Sequence, residues 1–165
     1  MADTYKELAK LTLPAENKIL GPSLDFMENL MKTTGLEDKD ILRMRLALEE
    51  ASLNVIEHAF DPDEDGKFDI ILDRRPNRVV LKVIDKGLPV DFRQVAEGKS
   101  EGLGLKLIRG MTDEVNYLNL GRGGKCVELV KNIPYKIISD TLTEEEKKQL
   151  DSMDKTRVEK ADIEL

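Results

Sequence analysis

The sequence predicts an α+β fold, a two-layer α/β sandwich with helices on one face of a mostly antiparallel mixed sheet. Three observations lead there. The stretch Ile41–Phe60 contains no Gly or Pro and is rich in Leu, Ala, Glu, Arg and Met, the composition of one long helix. Two pairs of strand-like runs, 67–73 with 78–84 and 114–120 with 125–131, each close around a short turn. The strands outnumber the helices that could cover them, and helices packed on a single face of one sheet meet that burial problem.

At 165 residues the chain is long enough for one domain with its own core. Its net charge of −7 weighs against a general nucleic-acid binder and permits a basic protein partner, or a polyanionic ligand held with a metal ion. The single cysteine, Cys126, excludes a disulfide framework and a multi-cysteine metal site. It reads as a small structural side chain in a strand, and a free thiol fits a reducing compartment, so a cytoplasmic location is expected. No apolar run is long enough to span a bilayer, and the opening MADTYKELAK lacks the apolar core of a secretory signal.

In chain order, residues 1–10 read as a polar lead-in, loose or briefly helical. Lys10–Pro14 suits a short edge strand that Pro14 ends. Apolar residues between Asn17 and Thr33 recur at helical spacing, which predicts a helix from about Pro22, or an earlier start with a kink. Asp38 or Asp40 can cap the long helix that follows. Asp61–Gly66 is a turn by composition; it lacks the spaced ligands of a calcium loop. Lys67–Asp73 and Arg78–Ile84 form a hairpin about Pro76-Asn77. Asp85 then stands at a strand end, a place where sheets present ligand-binding groups. Gly102 and Gly104 open a short helix to about Gly110, where exposed N–H groups and the helix dipole can hold an anion. Gly98-Lys99-Ser100 looks like the end of a P-loop, but Arg93 occupies the position of that motif's first glycine. Glu114–Leu120 and Lys125–Lys131 pair through Gly121–Gly124. Beyond Pro134, Thr143 and Glu146 can form a capping box for a surface helix. Residues 139–165 carry 9 acidic and 5 basic side chains, a composition suited to solvent or to a partner-binding tail.

The long helix carries more than one apolar face. Ile41, Met44, Leu48, Ala51, Val55 and Ala59 share one; Leu42, Leu46 and Leu53 form a second. Between them lies a polar arc with Arg43, Glu50, Asn54, Glu57 and His58. This pattern fits the wall of a polar pocket, or a core helix with a solvated ridge. Glu49 lies off the Asn54 arc and is read as solvated or paired with Arg45.

Three short motifs resemble those of the GHKL ATP-binding domains, shared by histidine kinases, gyrase-type ATPases and Hsp90. Glu50-Ala51-Ser52-Leu53-Asn54 with His58 resembles the N box. Asp85-Lys86-Gly87-Leu88-Pro89-Val90-Asp91-Phe92 resembles the G1 box. Gly102-Leu103-Gly104-Leu105 resembles the G2 box, and Gly121–Glu128 is similar to the fold's last turn and strand. Within that superfamily the chain is most similar to anti-sigma-factor serine/threonine kinases of the RsbW and SpoIIAB type, from about Leu11 to Lys131. The resemblance implies a Bergerat-type ATP-binding domain over 11–133, with 134–165 an acidic, helical extension outside it. It implies ATP and Mg²⁺ as cofactors. Asn54 would hold the metal, because an amide coordinates without adding charge. Glu50 would act as general base. Asp85 would accept the adenine amino proton, and Gly87 would let backbone approach the base. Gly102, Leu103 and Gly104 would meet the phosphates under a lid over 93–101. His58, Lys99 and Ser100 would border them, with Arg109 a further candidate for a γ-phosphate contact. Ser100 departs from a basic residue of the spore and stress kinases.

Two functions follow from the resemblance. One is a serine/threonine protein kinase and anti-sigma regulator that phosphorylates a STAS-type antagonist, binds a sigma factor and forms a homodimer. The other is a nucleotide-dependent protein-binding switch without efficient phosphoryl transfer. Neither implies direct contact with nucleic acid or membrane.

Overall fold

The computed structural model describes residues 6–89, 103–134, 143–149 and 152. Strand β1 (Lys6–Pro14) precedes helices α1 (Asn17–Met31) and α2 (Asp38–His58). The hairpin β2 (Lys67–Arg75) and β3 (Arg78–Asp85) follows, then α3 (Leu103–Met111), β4 (Glu114–Asn119) and β5 (Lys125–Asn132). The strands lie in the order β1-β2-β3-β5-β4, and every neighbouring pair is antiparallel. The two hairpins of the sequence reading are both present.

Side-chain alternation explains why the helices cover one face. Phe68, Ile70 and Leu72 on β2, Val79, Leu81 and Val83 on β3, and Leu129 on β5 point to the same side and join one core with Met27, Met31, Met44 and Leu48. The three methionines and Leu48 are fully buried, each worth roughly 2 kcal/mol of transfer free energy. The first apolar face of α2 is this core face: Ile41, Met44, Leu48, Ala51, Val55 and Ala59 are all buried.

Local details depart from the sequence reading for identifiable reasons. β1 begins at Lys6, because β2 offers partners as far as Arg74, so Lys6–Lys10 is neither loose nor helical. α1 begins at Asn17 and contains Pro22. Pro22 forfeits one backbone donor, but it sits on an exposed face, and the Ser23 hydroxyl donates to the Ile19 carbonyl at 2.7 Å in the same turn. Neither Asp38 nor Asp40 caps α2; Glu37 is the N-cap and makes no side-chain cap bond. The two aspartates lie in the first turn, where the helix dipole favours them. Asp40 is buried and pairs with Arg43 at 3.1 Å and Lys131 at 3.7 Å, tying α2 to β5. Arg45 pairs with Asp25 at 2.6 Å and with Glu28, joining α1 to α2 instead of reaching Glu49. Leu42 and Leu46, expected to help form a second apolar face, are exposed. Thr143 and Glu146 do form a capping box: the Glu146 carboxylate accepts from the Thr143 N–H and hydroxyl, both at 2.8 Å. No helix among the described residues is long and apolar enough to cross a membrane.

Candidate functional site beside the central helix

α2 carries Glu50 and Asn54 one turn apart, both half-buried, on the flank turned toward α3 and away from its core face. α3 packs along α2, and its N-terminus brings Gly104 against Glu50: a Cβ on Gly104 would lie 2.8 Å from Glu50 Oε2. The carboxylate therefore sits at the mouth of α3, where the first N–H groups of a helix have no partner within it. Leu103, the first residue of α3, is 85% exposed and available to a ligand or to the segment before it.

Asp85 ends β3 and is 4% exposed. Its Oδ1 accepts a hydrogen bond from the Gly87 N–H at 3.0 Å and pairs with Lys125 Nζ at 2.9 Å. Lys125 is placed by the sheet, since it is the register partner of Asp85 across β3 and β5. Lys125 Nζ also donates to the Leu88 carbonyl, so one ammonium holds both sides of the turn. Two clefts flank this turn. One of about 560 Å³ lies between Phe60–Lys67 and Lys86–Pro89. The other, of about 190 Å³, presents Lys86, Arg122 and Lys125.

Gly87 has a sharper reason to be glycine than the sequence suggests. A Cβ there would overlap the Ala59 carbonyl oxygen and lie 2.7 Å from its carbon, while Leu88 N–H donates to the same oxygen at 2.7 Å. The missing side chain lets the turn close onto the C-terminal end of α2. Gly124, with φ +90°, plays a related part: a Cβ would overlap the Asp85 carbonyl, so the β4–β5 connection passes directly over the strand end.

Other expected residues fall in less committed places. The His58 side chain is 75% exposed and lies 3.7 Å from the Glu57 carboxylate, in the last turn of α2. Arg109 lies in the last turn of α3 and lines a separate cavity of about 390 Å³ with Asp113, Glu114 and Tyr117. Lys99, Ser100, Gly102 and the expected lid over 93–101 lie outside the described residues. Cys126 is 2% exposed, and burial pushes its thiol up to about 11, the state of an inert side chain. Sequence reasoning missed Lys125. Its only signal was a cation at a strand start, and only the β3–β5 register links it to Asp85.

Comparison with known proteins bears on the family and the fold. The family model described as "Histidine kinase-like ATPase domain" matches residues 13–131. The chain is 25% identical over 126 residues to the serine-protein kinase RsbW of Bacillus cereus (strain AH187), covering 68% of this chain and 78% of that protein. It is equally similar to the RsbW of Bacillus thuringiensis (strain Al Hakam). A crystal structure of the RsbU and RsbW domains of Rv1364c from Mycobacterium tuberculosis shares the fold, with a TM-score of 0.52 and 18% identity over 76% of this chain and 33% of that one. The three short motifs, the sheet topology and the matched span converge: the chain belongs to the histidine kinase-like ATPase family.

Proposed function

We propose that the chain binds ATP with Mg²⁺ in the cleft beside α2 and transfers the γ-phosphoryl group to a serine or threonine of a STAS-type antagonist protein, as an anti-sigma kinase does. The observation that carries the proposal is the double use of α2. Its middle, at Glu50, meets the mouth of α3, and its end, at Ala59, meets the turn after Asp85. Those two contacts are about 13.5 Å apart along the helix axis, a run that accommodates a nucleotide laid along it.

The donor set fits the metal and the nucleotide. Asn54 offers a neutral amide oxygen on the same flank as Glu50, and the space a Cβ would fill at Gly104 is left open beside the carboxylate. Bound Mg²⁺ would neutralise phosphate charge as it develops. Asp85, fixed by the Gly87 N–H and Lys125, is oriented to accept a proton from an amino group, which favours adenine over guanine. The N–H groups at the start of α3 suit phosphate oxygens. Glu50 would accept the proton of the attacking hydroxyl as its oxygen bonds to the γ-phosphorus and the bond to the ADP oxygen breaks. The partner would be the antagonist protein, with a sigma factor as a second one, in a cytoplasmic homodimer.

Incubation with radiolabelled ATP, Mg²⁺ and a STAS-type antagonist tests the reading. Transfer of label by the wild-type chain, lost in Glu50→Gln while ATP uptake in calorimetry persists, is expected. Asn54→Ala is expected to lose Mg²⁺-dependent uptake. Nucleotide uptake with no transfer to an antagonist that binds the chain would favour the switch, and no uptake at all would end both readings.

A further inference from the structure

Lys125 does more at Asp85 than neutralise it. The two residues stand opposite each other in the β3–β5 register, two positions beyond the Val83–Val127 pair. Val83 belongs to the core under the helices, so alternation sends the Asp85 and Lys125 side chains to that same helical face. Recognition there depends on which carboxylate oxygen the ammonium takes. Lys125 Nζ and the Gly87 N–H both come to Oδ1, at 2.9 and 3.0 Å. A carboxylate oxygen has two lone pairs, so these two donors fill Oδ1. Oδ2 carries no hydrogen bond or ion pair among the described residues. The ammonium is kept on Oδ1 because it also donates to the Leu88 carbonyl. That turn is itself fixed, by the Leu88 N–H on the Ala59 carbonyl and by the close approach at Gly87.

The purine bases differ in how many donors they bring to such a carboxylate. Adenine offers one amino group beside a ring-nitrogen acceptor. Guanine offers two parallel donors, a ring N–H and the 2-amino group, which a carboxylate reads with both oxygens at once. With Oδ1 filled, one of guanine's donors meets an oxygen that already holds two. A donor buried without an acceptor is costly, and the neighbouring ammonium is a donor as well. Hypoxanthine keeps the ring N–H and lacks the 2-amino group, so it brings one donor only.

We propose, on the footing of the nucleotide site assigned to Asp85 above, that Lys125 is the positioning residue that sets base selectivity. By filling Asp85 Oδ1 it turns a carboxylate able to take two parallel donors into a site for one, and so excludes guanine. It acts through Asp85. Without it, Oδ1 keeps a single bond from the Gly87 N–H and a lone pair for a second donor of the base.

Calorimetry of the full chain with Mg²⁺ and ATP, inosine triphosphate or GTP tests the assignment. In the unaltered chain ATP should bind most tightly. Inosine triphosphate should bind about tenfold more tightly than GTP, since the two differ only by the 2-amino group. Lys125→Met keeps most of the stem and removes the ammonium. The gap between inosine triphosphate and GTP should then close, whatever loss of affinity the three nucleotides share. A merely structural lysine would weaken all three alike and leave the gap as it was. Circular dichroism checks that Lys125→Met is folded; if it is not, the order of the two nucleotides in the unaltered chain decides. GTP binding as tightly as inosine triphosphate to the unaltered chain would overturn the role of Lys125 and leave the ATP site standing. An unchanged gap in folded Lys125→Met would do the same. Uptake of none of the three would overturn the nucleotide site itself, and the role of Lys125 with it.

Discussion

Gly87 and Gly104 each face α2, but they face different parts of it. Gly87 meets backbone, the carbonyl of Ala59 at the helix end, and a hydrogen bond from Leu88 N–H locks the approach. Gly104 meets the far end of the Glu50 side chain. A carbonyl in a helix cap cannot turn aside, whereas a carboxylate on three rotatable bonds can. The strand-end side is therefore built from fixed contacts, with Asp85 held by an N–H and a half-buried lysine. The α3 side is built from adjustable ones. Under the proposed function this division is useful: the part that selects the base is rigid, and the part that must respond to a changing phosphate group is not.

The largest effect expected from breaking the comparison is at Gly87. In Gly87→Ala the turn must withdraw from α2, and the Leu88 bond to Ala59 goes with it. Overpacking against backbone is expected to cost about 3 kcal/mol, read as a lower urea midpoint at unchanged m-value. A midpoint equal to that of the unaltered chain would show that the turn is mobile and that the contrast with Gly104 is false.

Gly104→Ala should cost far less stability, under about 1 kcal/mol, because the Glu50 carboxylate can rotate away from the added methyl. The effect belongs in the chemistry. If Glu50 acts on the attacking hydroxyl, its displacement should lower the rate of phosphoryl transfer while nucleotide affinity in calorimetry changes little. Equal losses of affinity and rate would instead mean that the methyl group blocks the phosphates directly.

What could be read from the sequence follows the same division. The core face of α2, both hairpins and the Thr143–Glu146 box were legible because each rests on periodicity or on residues three or four apart. Pro22 left the start of α1 open between that residue and an earlier turn, because a solvent-facing turn tolerates the lost bond and periodicity carries no sign of which turn faces water; the earlier start is the one found. Leu42 and Leu46 read as a second buried face because spacing cannot tell an apolar stripe that meets a neighbour from one that meets solvent. Glu50 and Asn54 were legible as a pair on one helix face. Lys125 was not, since its pairing with Asp85 exists only through the β3–β5 register, 40 positions apart. The reason for Gly87 was equally hidden: its constraint is a carbonyl 28 residues earlier.

The smallest expected effect lies away from α2, at Glu146, where a partly exposed side chain meets backbone at the surface. The Thr143 N–H and hydroxyl both donate to its carboxylate and hold it below the usual glutamate value. A carboxyl depressed in the folded state contributes stability above its unfolded pKa and loses that contribution as pH falls through the folded value. The helix at 144–149 should therefore be firmest above the ordinary glutamate range and fray on acidification below it. A carbon-13 titration of the Glu146 carboxyl should give a midpoint below that of the other exposed glutamates. Thr143→Ala should move the midpoint back up without changing the domain's melting temperature. Such an outcome would extend the contrast between Gly87 and Gly104 to a third case, a contact within one surface turn that core packing does not hold. A drop in melting temperature would mean instead that the capped helix bears on the sheet.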